Sequence, residues 1–157
     1  MSLVVEYQSA RTSEHLARVR RTIALRTLVA IGMTQREIAS KTGVSQPAIS
    51  QQLKSGADLR SEDPDALLRA AAPVLKALAA DRGYKDLAVF GSIARGTSHS
   101  DSDIDLLVKA PETASSFDFV EFKTMIESIL DRQIDLVDYG SLKSPLDDDI
   151  LHSAVHL

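Results

Sequence analysis

Three aspartates and one glycine-serine step carry most of the chemistry that this sequence can do. Asp103 and Asp105 stand at alternate positions in the run Asp103-Ile104-Asp105-Leu106-Leu107-Val108. In a strand, side chains two apart share a face, so the two carboxylates stand together while Ile104 and Leu106 turn to the core. Carboxylates that close repel one another unless a cation lies between them. Hard oxygen donors of this kind suit Mg²⁺. Upstream, the apolar run Leu87 to Phe90 enters Gly91-Ser92, then Ile93-Ala94-Arg95 and Gly96. Glycine lets a backbone turn sharply and come close to a ligand, and amides at a loop-to-helix junction attract phosphate. A phosphate cradle beside a divalent-metal pair is the equipment of phosphoryl or nucleotidyl transfer. Asp135 lies in a further apolar run, Ile134-Asp135-Leu136-Val137-Asp138. A carboxylate in such a strand is costly unless it is paired or binds metal.

Gly91-Ser92, Arg95-Gly96 and Ser102-Asp103-Ile104-Asp105-Leu106 resemble the signature of the DNA polymerase beta-like nucleotidyltransferase superfamily. Within it, the pattern is most similar to the minimal nucleotidyltransferases, the MntA-like antitoxins. The resemblance implies nucleotidyl transfer from ATP to a hydroxyl, with two Mg²⁺ ions. It implies that Asp103 and Asp105 hold the ion on the triphosphate and that Asp135, matching the family's third acidic position, completes the second site. It assigns Gly91 and Ser92 to the outgoing phosphates and Arg95 to charge that grows in the transition state. It also implies a HEPN-domain RNase toxin as partner, neutralised in some members by adding AMP to a tyrosine. After the signature too little chain remains for a substrate domain, so an acceptor that brings its own surface, a protein, fits this core.

The elements that must position these residues fall into two parts. Residues 1–60 carry nine Lys or Arg against four Asp or Glu, a net charge of +5, and residues 61–157 carry nine against eighteen, −9, which together make the −4 of the chain. Such a split suggests parts with different partners, the basic one compatible with nucleic acid. Hydrophobic residues make up 44% of the chain, enough for a core. There is no cysteine, hence no disulfide framework and no thiolate metal site. The start has no secretory pattern and no apolar run reaches the roughly 20 residues that span a bilayer. The expectation is therefore a cytoplasmic protein with no membrane partner.

In the basic part, a weakly strand-like lead-in to Ala10 is expected to precede a helix from about Ser13 to Ile31. Thr34-Gln35-Arg36-Glu37 is a capping box that starts a second helix. Gly43-Val44-Ser45 makes a turn, Ser45 caps a third helix, Pro47 suits its first turn, and Gly56 stops it. Val44, Ile49 and Leu53 should fill the space between the last two helices, with the small Ala39 allowing a close crossing. This stretch resembles a helix-turn-helix of the Xre/lambda-repressor type. In that motif the second helix enters the major groove, which puts Ser45, Gln46, Ala48, Ser50 and Gln51 near DNA bases and Gln35 near a phosphate. Proteins of this type bind as dimers, so a homodimer on operator DNA is expected.

The polar stretch Ala57 to Pro64 reads as a linker. Asp65 to Arg82 is a helix, kinked or divided at Pro73. Phe117 to Asp131 is a second amphipathic helix and Ile134 to Asp138 a third strand. Asp147-Asp148-Asp149 reads as helix-start charge, and His152 and His156 as surface or packing side chains. The expected fold is thus α+β, with a helix-turn-helix domain over residues 1–60 and a small α/β nucleotidyltransferase domain with a mixed sheet over 61–157. The rival to an antitoxin enzyme that represses its own promoter is a DNA-binding regulator with an inactive nucleotidyltransferase-like domain.

Overall fold

The structure is a computed structural model that describes residues 2–157. The chain divides into two compact units, the first ending at Asp58 and the second running from Leu59 to Leu157.

The first unit is all helical. Helix α1 spans Leu3–Ala30, ten residues ahead of its expected start. No Gly or Pro interrupts the chain between those ends, so nothing stops the helix from extending to Leu3. It buries side chains only from Val19 onward: Val19, Thr22, Ile23 and Leu25. Helix α2, Gln35–Thr42, opens with the full capping box: the Thr34 hydroxyl accepts from the Glu37 amide and the Glu37 carboxylate accepts from the Thr34 amide. Gly43 ends it in the left-handed conformation, φ 73°, which glycine adopts without strain. Ser45 then caps α3, Gln46–Ser55, with Pro47 in its first turn. Leu25, Ile38 and Ile49 form the core, and Leu28, Met33, Ala39, Val44 and Leu53 pack around it. Ile38 and Ile49 are essentially fully buried, each worth about 1.5–3 kcal/mol relative to exposure.

The second unit begins with a short 3-10 turn, Leu59–Ser61, and helix α4, Pro64–Asp81, capped by Asp63. α4 runs through Pro73 without dividing. Pro73 lies on its exposed side, where a carbonyl that loses its helical partner can turn to water. Strand β1, Lys85–Phe90, leads directly into a one-turn helix α5, Gly91–Arg95. Strand β2 is Ile104–Lys109, helix α6 is Ser116–Leu130, and strand β3 is Ile134–Asp138. The chain closes with α7, Asp148–Ser153, and a two-residue strand β4, Val155–His156. Asp148 and Asp149 lie in the first turn of α7, the favourable end for negative charge.

The four strands form one mixed sheet in the order β3-β2-β1-β4. β1 is antiparallel to β2 and to β4, whereas β2 and β3 are parallel. Parallel neighbours need a crossover, and α6 supplies it. One face, carrying Ile104, Leu106, Val108, Ile134 and Leu136, is covered by α4 and α6, where Phe122, Ile126, Ile129 and Leu130 are buried. On the other face Ala88, Phe90 and Leu107 pack with Val137, Tyr139, Leu142, Ile150 and Ala154. The arrangement is the expected α+β one, helices first and then a mixed-sheet α/β unit. No described helix is long and apolar enough to cross a membrane.

Candidate active site

Asp105 sits inside β2, paired across the sheet with Phe90 of β1 on one side and with Asp135 of β3 on the other. Because β2 and β3 are parallel and in register, the carboxylates of Asp105 and Asp135 leave the sheet on the same face, on strands about 4.8 Å apart. Asp103 is placed one residue before β2 rather than within it. The two-residue step still brings it to the same side as Asp105. Asp105 is half-buried, and Asp103 and Asp135 are exposed. The three sequence-derived carboxylates are therefore brought together at one end of β2 and β3.

Their electrostatics are unbalanced. Burial first, and then the carboxylates of Asp135 and Asp103, push the Asp105 carboxyl above its ordinary range, while the Arg95 guanidinium pulls it down. Among the described residues none of the three carboxylates accepts a hydrogen bond or forms an ion pair. Clustered negative charge with no cationic side chain bonded to it is what a divalent cation relieves. Among the described residues no group of three or more His, Asp or Glu side chains is placed so that it could hold a metal ion. Mg²⁺ seldom takes an all-protein cage; it is held by one or two carboxylates and completed by water and substrate phosphates. The donor set fits that mode.

Gly91 adjoins this cluster. Its φ is +69°, and a β-carbon built on it would stand 2.1 Å from Oδ2 of Asp105. The glycine thus permits both the turn from β1 into α5 and the close approach to the carboxylate. Ser92 is half-buried and its carbonyl accepts from the Thr97 amide at 2.9 Å. Gly96 ends α5 at φ 71°. Arg95 is exposed. The loop to β2 is fastened by two bonds, Ser102 N–H to the His99 carbonyl and His99 N–H to the Ser102 hydroxyl, both 2.9 Å.

The polymerase beta, nucleotidyltransferase family model matches residues 75–157, which is the sheet and every residue of this cluster. The chain belongs to that family. This nucleotidyltransferase is 37% identical over 75 residues to the protein adenylyltransferase MntA of Thermococcus cleftensis, covering 48% of this chain and 76% of that protein. It is 40% identical over 73 residues, 46% of this chain and 78% of the other, to a Methanocaldococcus jannaschii protein assigned as a protein adenylyltransferase. Among solved structures, one assigned as a minimal nucleotidyltransferase superposes with a TM-score of 0.53 at 34% identity, over 66% of this chain and 99% of that one.

Other acidic groups of the nucleotidyltransferase are engaged elsewhere. Asp138 Oδ1 accepts from the amides of Gly140 and Ala110 and ends β3, as its position in the strand suggests. An open depression of about 710 Å³ beside it is lined by Asp86, Lys109, Tyr139 and His156, at the opposite ends of β1 and β2 from the carboxylate cluster. Sequence reasoning gave Arg132 no part. Its guanidinium reaches the carbonyl of Ser100 in the loop before Asp103. Its partners are main-chain oxygens from distant segments, which leave no trace in a residue pattern.

In the first unit, Ser45 and Gln46 lie at the start of α3 and are exposed, Ala48 and Ser50 are half-buried, and Gln51 is exposed. Gln46 Nε2 donates to Gln35 Oε1 at 2.8 Å, so two of the sequence-derived residues are joined. Gln51 Nε2 instead turns to the Ser55 hydroxyl at 3.3 Å.

Proposed function

We propose that the chain is a protein adenylyltransferase that moves AMP from ATP to a hydroxyl of a HEPN-type toxin, and that its first unit reads operator DNA to repress its own promoter. The observation that carries the enzymatic half is the Asp105 carboxyl. It is held above its ordinary range by burial and by Asp135 and Asp103, lies against Gly91, and accepts no hydrogen bond among the described residues.

Asp103, Asp105 and Asp135 would hold two Mg²⁺ ions, which when bound offset the charge of the triphosphate and make the acceptor hydroxyl easier to ionise. The chain's own residues supply the rest. Gly91 lets the β1–α5 turn lie against the Asp105 carboxylate, and Gly91 and Ser92 at that turn would hold the outgoing phosphates. The acceptor oxygen bonds to the α-phosphorus as the α–β bridging P–O bond breaks and pyrophosphate leaves. Asp135, exposed at the rim, receives the hydroxyl proton on a carboxylate oxygen. Arg95 offsets charge on the phosphoryl oxygens. The relatives named as protein adenylyltransferases support a protein acceptor.

The DNA-reading half rests on the cap, turn and cap of Thr34, Gly43 and Ser45, and on Gln46 held by Gln35 at the exposed start of α3. Gln35, Ser45, Gln46, Ala48, Ser50 and Gln51 would meet operator DNA, in a homodimer.

The deciding experiment incubates the purified chain with α-labelled ATP, Mg²⁺ and a co-expressed HEPN-domain protein. Label on that protein, lost in Asp105→Ala, supports the enzyme. Operator binding without label transfer supports the alternative, a regulator with an inactive domain; the observation in its favour is that no group of three or more acidic or histidine side chains among the described residues could hold a metal ion.

A further inference from the structure

Arg132 is the second residue after α6. It comes after Asp131, which holds the left-handed conformation at φ 51°. Its guanidinium faces carbonyls only. Nη1 donates to the Ser100 carbonyl at 2.8 Å. Nη2 donates to the Arg60 carbonyl at 2.8 Å, to that of Leu59 at 3.5 Å, and to that of Glu62. Nε is buried without a partner. Four main-chain oxygens from two segments therefore converge on one side chain, and no carboxylate pairs with it among the described residues. Beside it, Arg60 pairs with Asp131 at 3.0 Å, a second tie between residues 59–62 and the end of α6.

The Ser100 segment leads straight to a carboxylate of the cluster. Ser100 stands inside the turn closed by His99 and Ser102, and the next residue after that turn is Asp103. Arg132 itself stands three residues before Asp135. Between them the Ile104 amide donates to the Gln133 carbonyl at 3.3 Å. Arg132 thus sits at the root of both strands that bring the carboxylates together. It fastens the loop that delivers Asp103, the one carboxylate outside the sheet. Asp105 and Asp135 are located by the β2–β3 ladder, but Asp103 has no ladder bond of its own.

We infer that Arg132 is a positioning residue: by clamping Ser100 to residues 59–62 it sets where Asp103 stands relative to Asp105 and Asp135, and thereby the affinity of the cluster for a divalent cation. This rests on the reading of those carboxylates as metal ligands. A fork of five N–H donors in fixed geometry can bridge carbonyls of two segments at once, whereas a lysine ammonium, a compact point charge, cannot.

The test measures Mn²⁺ binding to the full, metal-free chain from the paramagnetic resonance of free Mn²⁺, for wild type, Arg132→Lys and Arg132→Ala, well below each melting temperature. Circular dichroism melts run in parallel. Both variants are expected to bind Mn²⁺ about tenfold more weakly, the lower end for groups that orient metal ligands. Transfer activity should then recover toward wild type at raised Mg²⁺. Unchanged Mn²⁺ affinity with a lowered melting temperature would make Arg132 a structural staple and overturn the inference. Wild-type affinity in Arg132→Lys overturns it too, because charge alone would then suffice. If Arg132→Ala does not fold, Arg132→Lys decides. A wild type that binds no Mn²⁺ sinks the metal reading itself, a different failure from variants that bind as tightly as wild type.

Discussion

A β-carbon on Gly91 would stand 2.1 Å from Oδ2 of Asp105 and 2.9 Å from its Cγ. The last residue of β1, Phe90, pairs with Asp105 across the sheet, so the turn out of β1 begins against the carboxylate that β2 presents. One glycine therefore answers two demands, a positive φ and an open approach to an acidic side chain. The Gly-Ser step and the Asp-x-Asp strand are parts of one site because the turn at Gly91 lies directly against the Asp105 carboxylate.

Gly91→Ala should damage that site in both ways. The left-handed conformation costs a non-glycine residue about 1–2 kcal/mol. The added methyl must also displace the Asp105 carboxylate or the turn. Displacements near 1 Å cost about 100-fold in rate where catalysis depends on positioning. The expected outcome is a modest drop in melting temperature and a loss of about 100-fold in kcat for AMP transfer. A variant with wild-type kcat would mean that the Gly91–Asp105 contact has no bearing on the chemistry.

The charge on Asp105 can be read through stability. Its folded-state pKa lies above the unfolded value, chiefly through burial and then through Asp135 and Asp103. The stability it contributes is therefore complete below the unfolded carboxylate pKa and is lost as pH rises through the raised folded value. Asp105→Asn removes that loss. In the absence of divalent ions the variant should melt a few degrees above wild type at neutral pH, and the difference should vanish in acid below the ordinary carboxylate range. Adding Mg²⁺ should raise the melting temperature of wild type and leave the variant unmoved. Parallel melting curves at all pH values would refute the like-charge account.

Arg95 is the one group that pulls the Asp105 carboxyl downward. It is exposed, and no salt bridge engages it among the described residues. Arg95→Ala should leave the melting temperature within about a degree and lower kcat roughly 100-fold, the scale for one lost donor at a developing charge. Without its field the Asp105 pKa rises further, so the acid limb of the pH–rate profile should move to higher pH. A profile that shifts to lower pH, or not at all, would place Arg95 outside the field of the reaction.

Where local rules and tertiary contacts agree, the structure follows the sequence closely. β3 has the bounds that its alternation implies, and Asp105 meets Asp135 because a short crossover helix makes β2 and β3 neighbours. The caps at Thr34 and Ser45 are where their side chains require them. The departures have physical causes as well. Pro73 falls on the solvent side of α4, so the helix continues. Asp103 falls just outside β2, because its pairing ends at Ile104. Val155–His156 pairs with β1 as a strand, a long-range contact that no local pattern announces. The role of Arg132 is hidden in the sequence for the same reason, since backbone carbonyls are everywhere in a chain and only the fold selects four of them.

Gln46 uses one amide hydrogen on Gln35 Oε1 at 2.8 Å, which leaves its Oε1 and second hydrogen without a partner among the described residues. That donor and acceptor pair is the one an adenine edge in the major groove accepts. Gln51, one turn and more along α3, turns its amide toward Ser55 and must change rotamer to reach a base. Gln46→Ala should therefore cost about 1–3 kcal/mol of specific operator affinity, and adding Gln51→Ala should cost less than that again. Gln35→Ala should produce a smaller loss, because it frees the Gln46 rotamer without removing its donor. Affinity for unrelated DNA and its salt slope should be unchanged in all three, since no phosphate-neutralising charge is lost. Titrations of operator and unrelated duplexes at two salt concentrations make the comparison. Equal losses on both duplexes would show that α3 does not read sequence.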